Sequence, residues 1–232
     1  MSDADIAVIG GGLAGMSAAL AAADGGARVI LLEQRPHLGG AASSFMRDGL
    51  WYDYGQHIFL RCCSAYRSFI QRIAGNPHLL LQKRLEIPVA VPGKRRSWIR
   101  RDSLPAPLHL ARSVLGYHPL TLGERSAILP AAMALKRVDV STSGADTARF
   151  YDWLLAHHQS ASAIAHFWDL IALPTLNLPA GEASLLAAAR MFRMGLLDDA
   201  AAADIGWADV PLSSLHDELA AEALRAAGPS VR

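Results

Sequence analysis

The stretch Asp5-Ile-Ala-Val-Ile-Gly-Gly-Gly-Leu-Ala-Gly15 constrains the fold of this chain more than any other. Ile6, Val8 and Ile9 form a short apolar run, the kind expected of a parallel strand with both faces buried. Gly10, Gly12 and Gly15 then give a G-x-G-x-x-G turn. In such a turn the first glycine allows a sharp exit from the strand, the second lets bare backbone approach a pyrophosphate, and the third lets the next helix pack against the sheet. The helix expected from Leu13 to about Ala23 would aim its unpaired N–H groups and positive dipole end at the phosphates. Asp24-Gly25-Gly26 ends it. Arg28-Val-Ile-Leu-Leu-Glu33 reads as a second buried strand that closes on an acid, where a carboxylate can accept hydrogen bonds from an adenosine ribose. A negative charge there disfavours a 2′-phosphate, and so disfavours NADP. Any tight strand-to-helix turn could carry glycines, but strand, turn, helix, strand and acid in this order specify a dinucleotide.

A chain of 232 residues, 52% of them hydrophobic, can bury one large core or two smaller ones. Its formal net charge of +1 gives no overall case for nucleic acid as a partner. The apolar N-terminal stretch opens with Ser2, Asp3 and Asp5 where a signal peptide would carry positive charge, so a cytoplasmic location is expected. No apolar run reaches the ~18 residues of a membrane span. Cys62 and Cys63 are adjacent, a poor arrangement for a structural disulfide, and read as packing residues before redox ones.

Further along, short strands are expected around the hairpin dipeptide Asp48-Gly49, over Ser43 to Arg47 and Leu50 to Leu60. A helix over Ala65 to Ala74 stops at Gly75-Asn76-Pro77. Leu79 to Arg101 is β-rich, and from Pro105 onward the pattern is helical over about 107–115, 122–136, 147–157, 160–173 and 181–196. Ser213 or Ser214 is an expected N-cap for a helix closed by Gly228, and Ser230-Val-Arg232 opens a strand. The fold class that follows is α/β, a Rossmann-like domain with a parallel sheet and flanking helices, interrupted by a mainly helical insertion. The boundaries expected are 1–62 for the first part of the nucleotide domain, 63–199 for the insertion and 200–232 for the return.

Three blocks resemble the opening of the flavin amine oxidase and carotenoid (phytoene) desaturase superfamily: Ala7 to Gly15, Leu32-Glu-Gln-Arg-Pro-His-Leu-Gly-Gly40 and Tyr52-Asp-Tyr-Gly-Gln-His-Ile-Phe-Leu60. Within it, Asp53-x-Gly55-Gln56-His57 with Arg61 to Tyr66, Phe167 to Asn177 with Glu182-Ala-Ser184, and Asp204 to His216 are similar to the squalene-associated branch, hydroxysqualene dehydroxylase. The similarity spans essentially the whole sequence. Members of that family are normally about twice as long, so the chain reads as an N-terminal half, expected to leave a sheet edge uncovered and to hold cofactor poorly alone. One departure is Ala41, where the superfamily often has an arginine that would offset pyrophosphate charge.

The resemblance implies FAD as cofactor, with contacts from Gly10, Gly11, Gly12, Leu13, Ala14, Gly15, Glu33, Gln34, Gly39, Gly40, Gln56 and His57. It also implies reductive dehydroxylation of hydroxysqualene to squalene, within hopanoid and triterpenoid biosynthesis. Ionising an allylic C–O bond needs a donor at the leaving oxygen, in a long, apolar, water-free chamber. His57 is the candidate acid, and a structural histidine beside the flavin is the competing reading. A desaturase or an amine oxidase would use the same cofactor in the oxidising direction, and a catalytically silent binding chain is the reading from another class. His157, His158 and His166 lack a matching acidic or thiolate set, so no metal is expected. Lys94-Arg-Arg-Ser-Trp-Ile-Arg-Arg101 is either a solvated basic face or a contact for anionic headgroups at a membrane surface.

Overall fold

A computed structural model describes residues 4–55, 57–75, 78–141 and 144–232. In chain order the strands are β1 (Ile6–Ile9), β2 (Val29–Leu32), β3 (Ser44–Arg47), β4 (Leu50–Asp53), β5 (Ile58–Leu60), β6 (Leu79–Leu81), β7 (Glu86–Val89), β8 (Ser97–Arg100), β9 (Ile205–Ala208) and β10 (Ser230–Val231). The helices are α1 (Leu13–Asp24), α2 (Ser64–Ala74), α3 (Ala111–Leu115), α4 (Leu122–Lys136), α5 (Gly144–Thr147), α6 (Phe150–Ala156), α7 (Ala161–Ala163), α8 (Asp169–Leu176), α9 (Leu185–Phe192) and α10 (Ala220–Ala227). Three π-helical turns, Ile164–Trp168, Arg193–Leu197 and Ser214–Leu219, continue or open helices.

The chain divides into two compact units. The first comprises Met1–Phe59, Cys63–Leu81 and Gly206–Arg232, and the second Leu60–Cys62 and Gln82–Ile205. Apart from Leu60–Cys62, the second unit thus begins at Gln82 where the insertion was expected from residue 63, and the return begins at Gly206 where it was expected from residue 200. The physical reason lies in α2. Its buried Phe69, Ile70 and Ile73 join Met16, Leu20, Leu215 and Leu224 in the core of the nucleotide unit.

In that unit β1, β2 and β10 form a parallel sheet in the order β1-β2-β10, with Ile6 opposite Val29 and Ser230 opposite Ile30. Val29 and Leu31 are buried, as a central strand requires. The expectation of two buried faces fails for β1. It is an edge among the described strands, and Ile9 is 86% exposed. The Asp48-Gly49 hairpin forms as expected, both residues having positive φ (51° and 78°) between Arg47 and Leu50, the signature of a type I′ turn.

The second unit packs α3 to α9 around Tyr117, Phe150, Trp168 and Phe192, with the β7–β8 hairpin alongside. Phe150, Trp168 and Phe192 meet edge-on or tilted, with centroids 5.2–5.9 Å apart. α4 occupies the expected 122–136 and opens on a capping box, Thr121 accepting from the Glu124 amide while Glu124 accepts from the Thr121 amide. The other end of the chain departs from expectation: Ser213 makes no capping hydrogen bond. Its hydroxyl instead donates to the Ser44 carbonyl at 3.1 Å and accepts from the Ser44 amide at 2.7 Å, spending the side chain on β3.

The basic run is divided between structure and surface. Arg100 pairs with Glu86 and Arg101 with Asp204, while Lys94, Arg95 and Arg96 stay exposed in the β7–β8 turn. Among the described residues no helix is long and apolar enough to cross a membrane.

Candidate dinucleotide site

The turn between β1 and α1 is built as a backbone cradle. Gly10 takes φ +96°, a left-handed conformation that other residues rarely adopt, and its amide donates to the Leu32 carbonyl at 2.7 Å. A Cβ on Gly15 would lie 1.9 Å from the Gly10 carbonyl oxygen, so only glycine lets α1 approach the sheet this closely. At Gly12 the situation reverses. A Cβ there would meet nothing within 4 Å, so the space beside this backbone is open.

Gly12 is also the N-cap of α1. It offers no side chain to the first amides of the helix, and no acid occupies the first turn. Those amides therefore offer an anion their uncompensated partial positive charge. An open groove, a bare backbone and free helix amides are the chemistry a diphosphate needs, and a side chain at position 12 would fill the groove.

Gly39 and Gly40 form the facing wall. The Gly39 amide donates to the Gly11 carbonyl at 2.9 Å, Gly12 and Gly39 form an isolated parallel bridge, and a Cβ on Gly40 would come within 3.2 Å of the Gly12 Cα. Glu33 closes the third side. One carboxylate oxygen accepts from the Gly11 amide at 2.6 Å and the other from the Arg35 amide at 2.9 Å. The bonds from Arg35 and then Gly11 hold the Glu33 carboxyl below its usual range, so it is anionic at neutral pH. Each oxygen keeps a further lone pair for a ribose hydroxyl. The structure thus brings together Gly10, Gly11, Gly12, Gly15, Glu33, Gly39 and Gly40, with Leu13, Ala14 and Gln34 adjoining them in sequence.

The remaining two expected contacts fare differently. Gln56 lies outside the described residues. His57 is exposed, and its Nε2–H donates to the Tyr54 carbonyl at 2.7 Å, which ties the ring to its own turn. Asp53 likewise has structural work, accepting from the Ser44 hydroxyl at 2.6 Å and from the Leu212 amide at 3.2 Å.

Residues that the sequence did not mark as site components hold the Gly39–Gly40 wall in place. Asp217 accepts from the Leu38 amide at 2.9 Å. His216, 1% exposed, donates from Nδ1 to the Ala42 carbonyl at 2.8 Å, and this fixes the tautomer because a carbonyl only accepts. Its Nε2 is left to accept the Tyr66 hydroxyl at 3.1 Å. Burial keeps His216 below the ordinary histidine range despite the Ala42 bond, and burial pushes the Tyr66 hydroxyl up to about 12. The ring pair is therefore neutral in this range, a fixed hydrogen-bonded support beneath the loop. The partners Leu38 and Asp217 lie 179 residues apart, a pairing that no local pattern records.

Several other residues of the resembling blocks do structural work in the second unit. Asp204 has no exposed side-chain surface; it accepts from Arg101 at 2.6 Å, from Arg61 at 3.1 Å and from the Leu85 amide at 2.6 Å. Burial opposes its ionisation, but the bonds from Arg101, Arg61 and Leu85 outweigh that and hold its carboxyl below the usual value. Asp169 accepts from the Ala180 amide at 2.7 Å, Asn177 ends α8 in the left-handed conformation at φ +55°, and Ser184 caps α9.

Residues 8–73 match the family described as NAD(P)-binding Rossmann-like domain. The chain is 30% identical over 174 residues to the zeta-carotene desaturase of Zea mays, covering 71% of this chain and 30% of that protein. It is 37% identical over 109 residues to the 15-cis-phytoene desaturase of Narcissus pseudonarcissus, covering 45% and 19%. Its fold superimposes on cyclohexylamine oxidase from Brevibacterium oxydans with a TM-score of 0.66 at 18% identity, covering 99% of this chain and 51% of that one. The chain thus spans 30% of the first of these desaturases, 19% of the second and about half of that solved structure. The chain is thus similar in sequence to carotenoid desaturases and in fold to an amine oxidase, and its glycine cradle is that of a Rossmann-like dinucleotide-binding domain.

Proposed function

We propose that this chain supplies the FAD-binding and helical substrate-binding parts of an oxidoreductase acting on a C30 isoprenoid, removing the allylic hydroxyl of hydroxysqualene to give squalene. The observation that carries the oxidoreductase reading is the open cradle at Gly12, flanked by an ionised Glu33. The similarity of Asp53 to His57, Phe167 to Asn177 and Asp204 to His216 to the squalene-associated branch supports the choice of substrate. In this reaction the allylic C–O bond breaks, the hydroxyl leaves as water after gaining a proton, and a hydride forms the new C–H bond. Bound FAD in its reduced state supplies that hydride and ends two electrons poorer.

The chain's own residues do the positioning. The α1 amides hold the diphosphate, Glu33 holds the ribose, and Asp217 with His216 keeps the Gly39–Gly40 wall in place. The exposed Lys94 to Arg96 turn, with Trp98 nearby, suits contact with anionic headgroups of the bilayer in which such a substrate dissolves. A second reading, desaturation, is favoured by the zeta-carotene and phytoene desaturases among the relatives.

Anaerobic mixing of the complete gene product, flavin reduced, with hydroxysqualene separates the two. Flavin oxidation with formation of squalene is expected, and oxidised enzyme should leave phytoene and zeta-carotene unchanged. Desaturation of either carotene with no turnover of hydroxysqualene overturns the dehydroxylase reading in favour of the desaturase one. Failure to bind FAD at all overturns both.

A further inference from the structure

The helical unit contains a cavity of about 300 Å³ that shares no residue with the nucleotide cradle. Val114, Ile128, Leu129, Phe167, Phe192 and Leu197 form much of its wall. The few polar groups there are already committed. Arg125 donates to the Leu120 and Leu115 carbonyls, both at 2.9 Å, the Ser126 hydroxyl donates to the Gly123 carbonyl at 2.7 Å, and the Trp168 indole N–H donates to Gln159 at 2.9 Å. Nothing in that wall asks for a polar ligand, and an apolar wall of this kind does not hold water.

Two of the three π-helical turns among the described residues lie against this cavity. Ile164–Trp168 contributes Phe167 and Trp168, and Arg193–Leu197 contributes Leu196 and Leu197. A π-turn inserts one extra residue into a helix at a cost in hydrogen-bond geometry, and such turns are frequent at functional sites. The mouth is marked by Leu115, which lines the cavity and is nonetheless 63% exposed. Unfilled, the cavity would leave its aromatic and aliphatic walls without contact partners on one side.

We propose that this cavity is a binding site for a neutral hydrocarbon segment, isoprenoid or straight-chain, that enters beside Leu115. Its size sets the length of the guest. An apolar cavity of roughly 150 Å³ accepts one benzene ring, so double that volume takes a segment of about ten to twelve carbons. A whole C30 chain does not fit. The site therefore recognises an end of a long chain, or a short one entire, and it does so without FAD.

Methyl-labelled protein titrated with geraniol in one experiment and 1-decanol in another tests this by NMR. The methyl signals of Ile128, Leu129 and Leu197 are expected to shift in a saturable way, equally with FAD absent or present. Stronger binding of geraniol assigns the site to isoprenoids, and stronger binding of decanol assigns it to straight chains. Ala111→Phe and, separately, Leu129→Phe place a ring inside the cavity and should weaken binding at least tenfold with little change in Tm. Ala111 and Leu129 are only partly buried, so both variants are expected to fold. Absence of saturable shifts for both probes, or shifts that persist undiminished in both filled variants, overturns the proposal. Saturable binding by a chain that fails to bind FAD would leave this site standing while removing the flavin reading.

Discussion

The carboxylate of Asp217 accepts the Leu38 amide at 2.9 Å, joining the first turn of the last helical segment to the loop that walls the nucleotide cradle. Leu38 is itself buried in the core of that unit, so the bond fixes a backbone position that packing alone would leave free to slide. Asp217→Ala is expected to cost about 1.5–3 kcal/mol, the range for a hydrogen bond to a charged group. FAD affinity should fall with it, because the Gly39–Gly40 wall loses an anchor. Denaturant unfolding and a flavin-fluorescence titration check the two effects. Unchanged affinity in a destabilised variant would separate the wall from the site.

Two glycines of the same turn should fail in opposite ways. Gly15→Ala drives a methyl into the Gly10 carbonyl, and overpacking of that kind costs about 1–3 kcal/mol or more, so the variant should unfold at lower temperature whether or not nucleotide is present. Gly12→Val meets only open space and should leave Tm of the cofactor-free chain nearly unchanged while abolishing FAD binding. Thermal melts with and without FAD distinguish them. A Gly12→Val protein that still binds FAD normally would show that the diphosphate lies elsewhere.

Asp204 is expected to contribute to the acid sensitivity of the second unit. Its carboxyl is held below the usual value in the folded state, so its stabilising contribution is complete above its unfolded pKa of about 3.9 and drains away as pH falls through the lower folded value. Asp204→Asn removes the charge between Arg61 and Arg101 and should cost about 3–5 kcal/mol at pH 7, as breaking a buried pair does. The variant should also lose part of the stability slope below about pH 4. Chemical denaturation at pH 3, 4 and 7 is the measurement, and equal pH slopes in both proteins would dismiss the assignment.

His109 is a buried group whose removal should help. It is 1% exposed and neither ring nitrogen has a hydrogen-bond partner, while burial holds it below the ordinary histidine range. A buried polar group without partners costs about 1–3 kcal/mol, so His109→Leu should be neutral or stabilising by about 1 kcal/mol. A loss of more than about 1 kcal/mol in urea melts would mean that the ring has a partner, such as an ordered water.

For His57 the geometry favours a local role. Its ring is bonded to the Tyr54 carbonyl, in the turn leading to β5. His57→Ala is expected to lower FAD affinity or stability modestly and to leave the rate of flavin oxidation by hydroxysqualene within a few-fold. A drop of about 10²-fold or more in that single-turnover rate, at saturating FAD, would restore His57 as the acid at the departing oxygen.

The sequence by itself determined the local pieces. The Gly10–Gly15 turn, the strand that leads to Glu33, the Asp48-Gly49 hairpin and α4 with its capping box all form where their residues predict. Each depends on the φ preference of a glycine, on a short apolar period or on a cap within three residues, and such preferences act within a few residues of chain. Only the tertiary structure decided which of these pieces meet. It made β1 an exposed edge, kept α2 in the nucleotide unit through Phe69, Ile70 and Ile73, and took Ser213 from an expected cap to a bond with Ser44. It also assigned Asp204, His216 and Asp217 to partners more than a hundred residues away. Burial, charge pairing and hydrogen-bond completion are properties of neighbours in space, and a one-dimensional pattern carries no record of who those neighbours are.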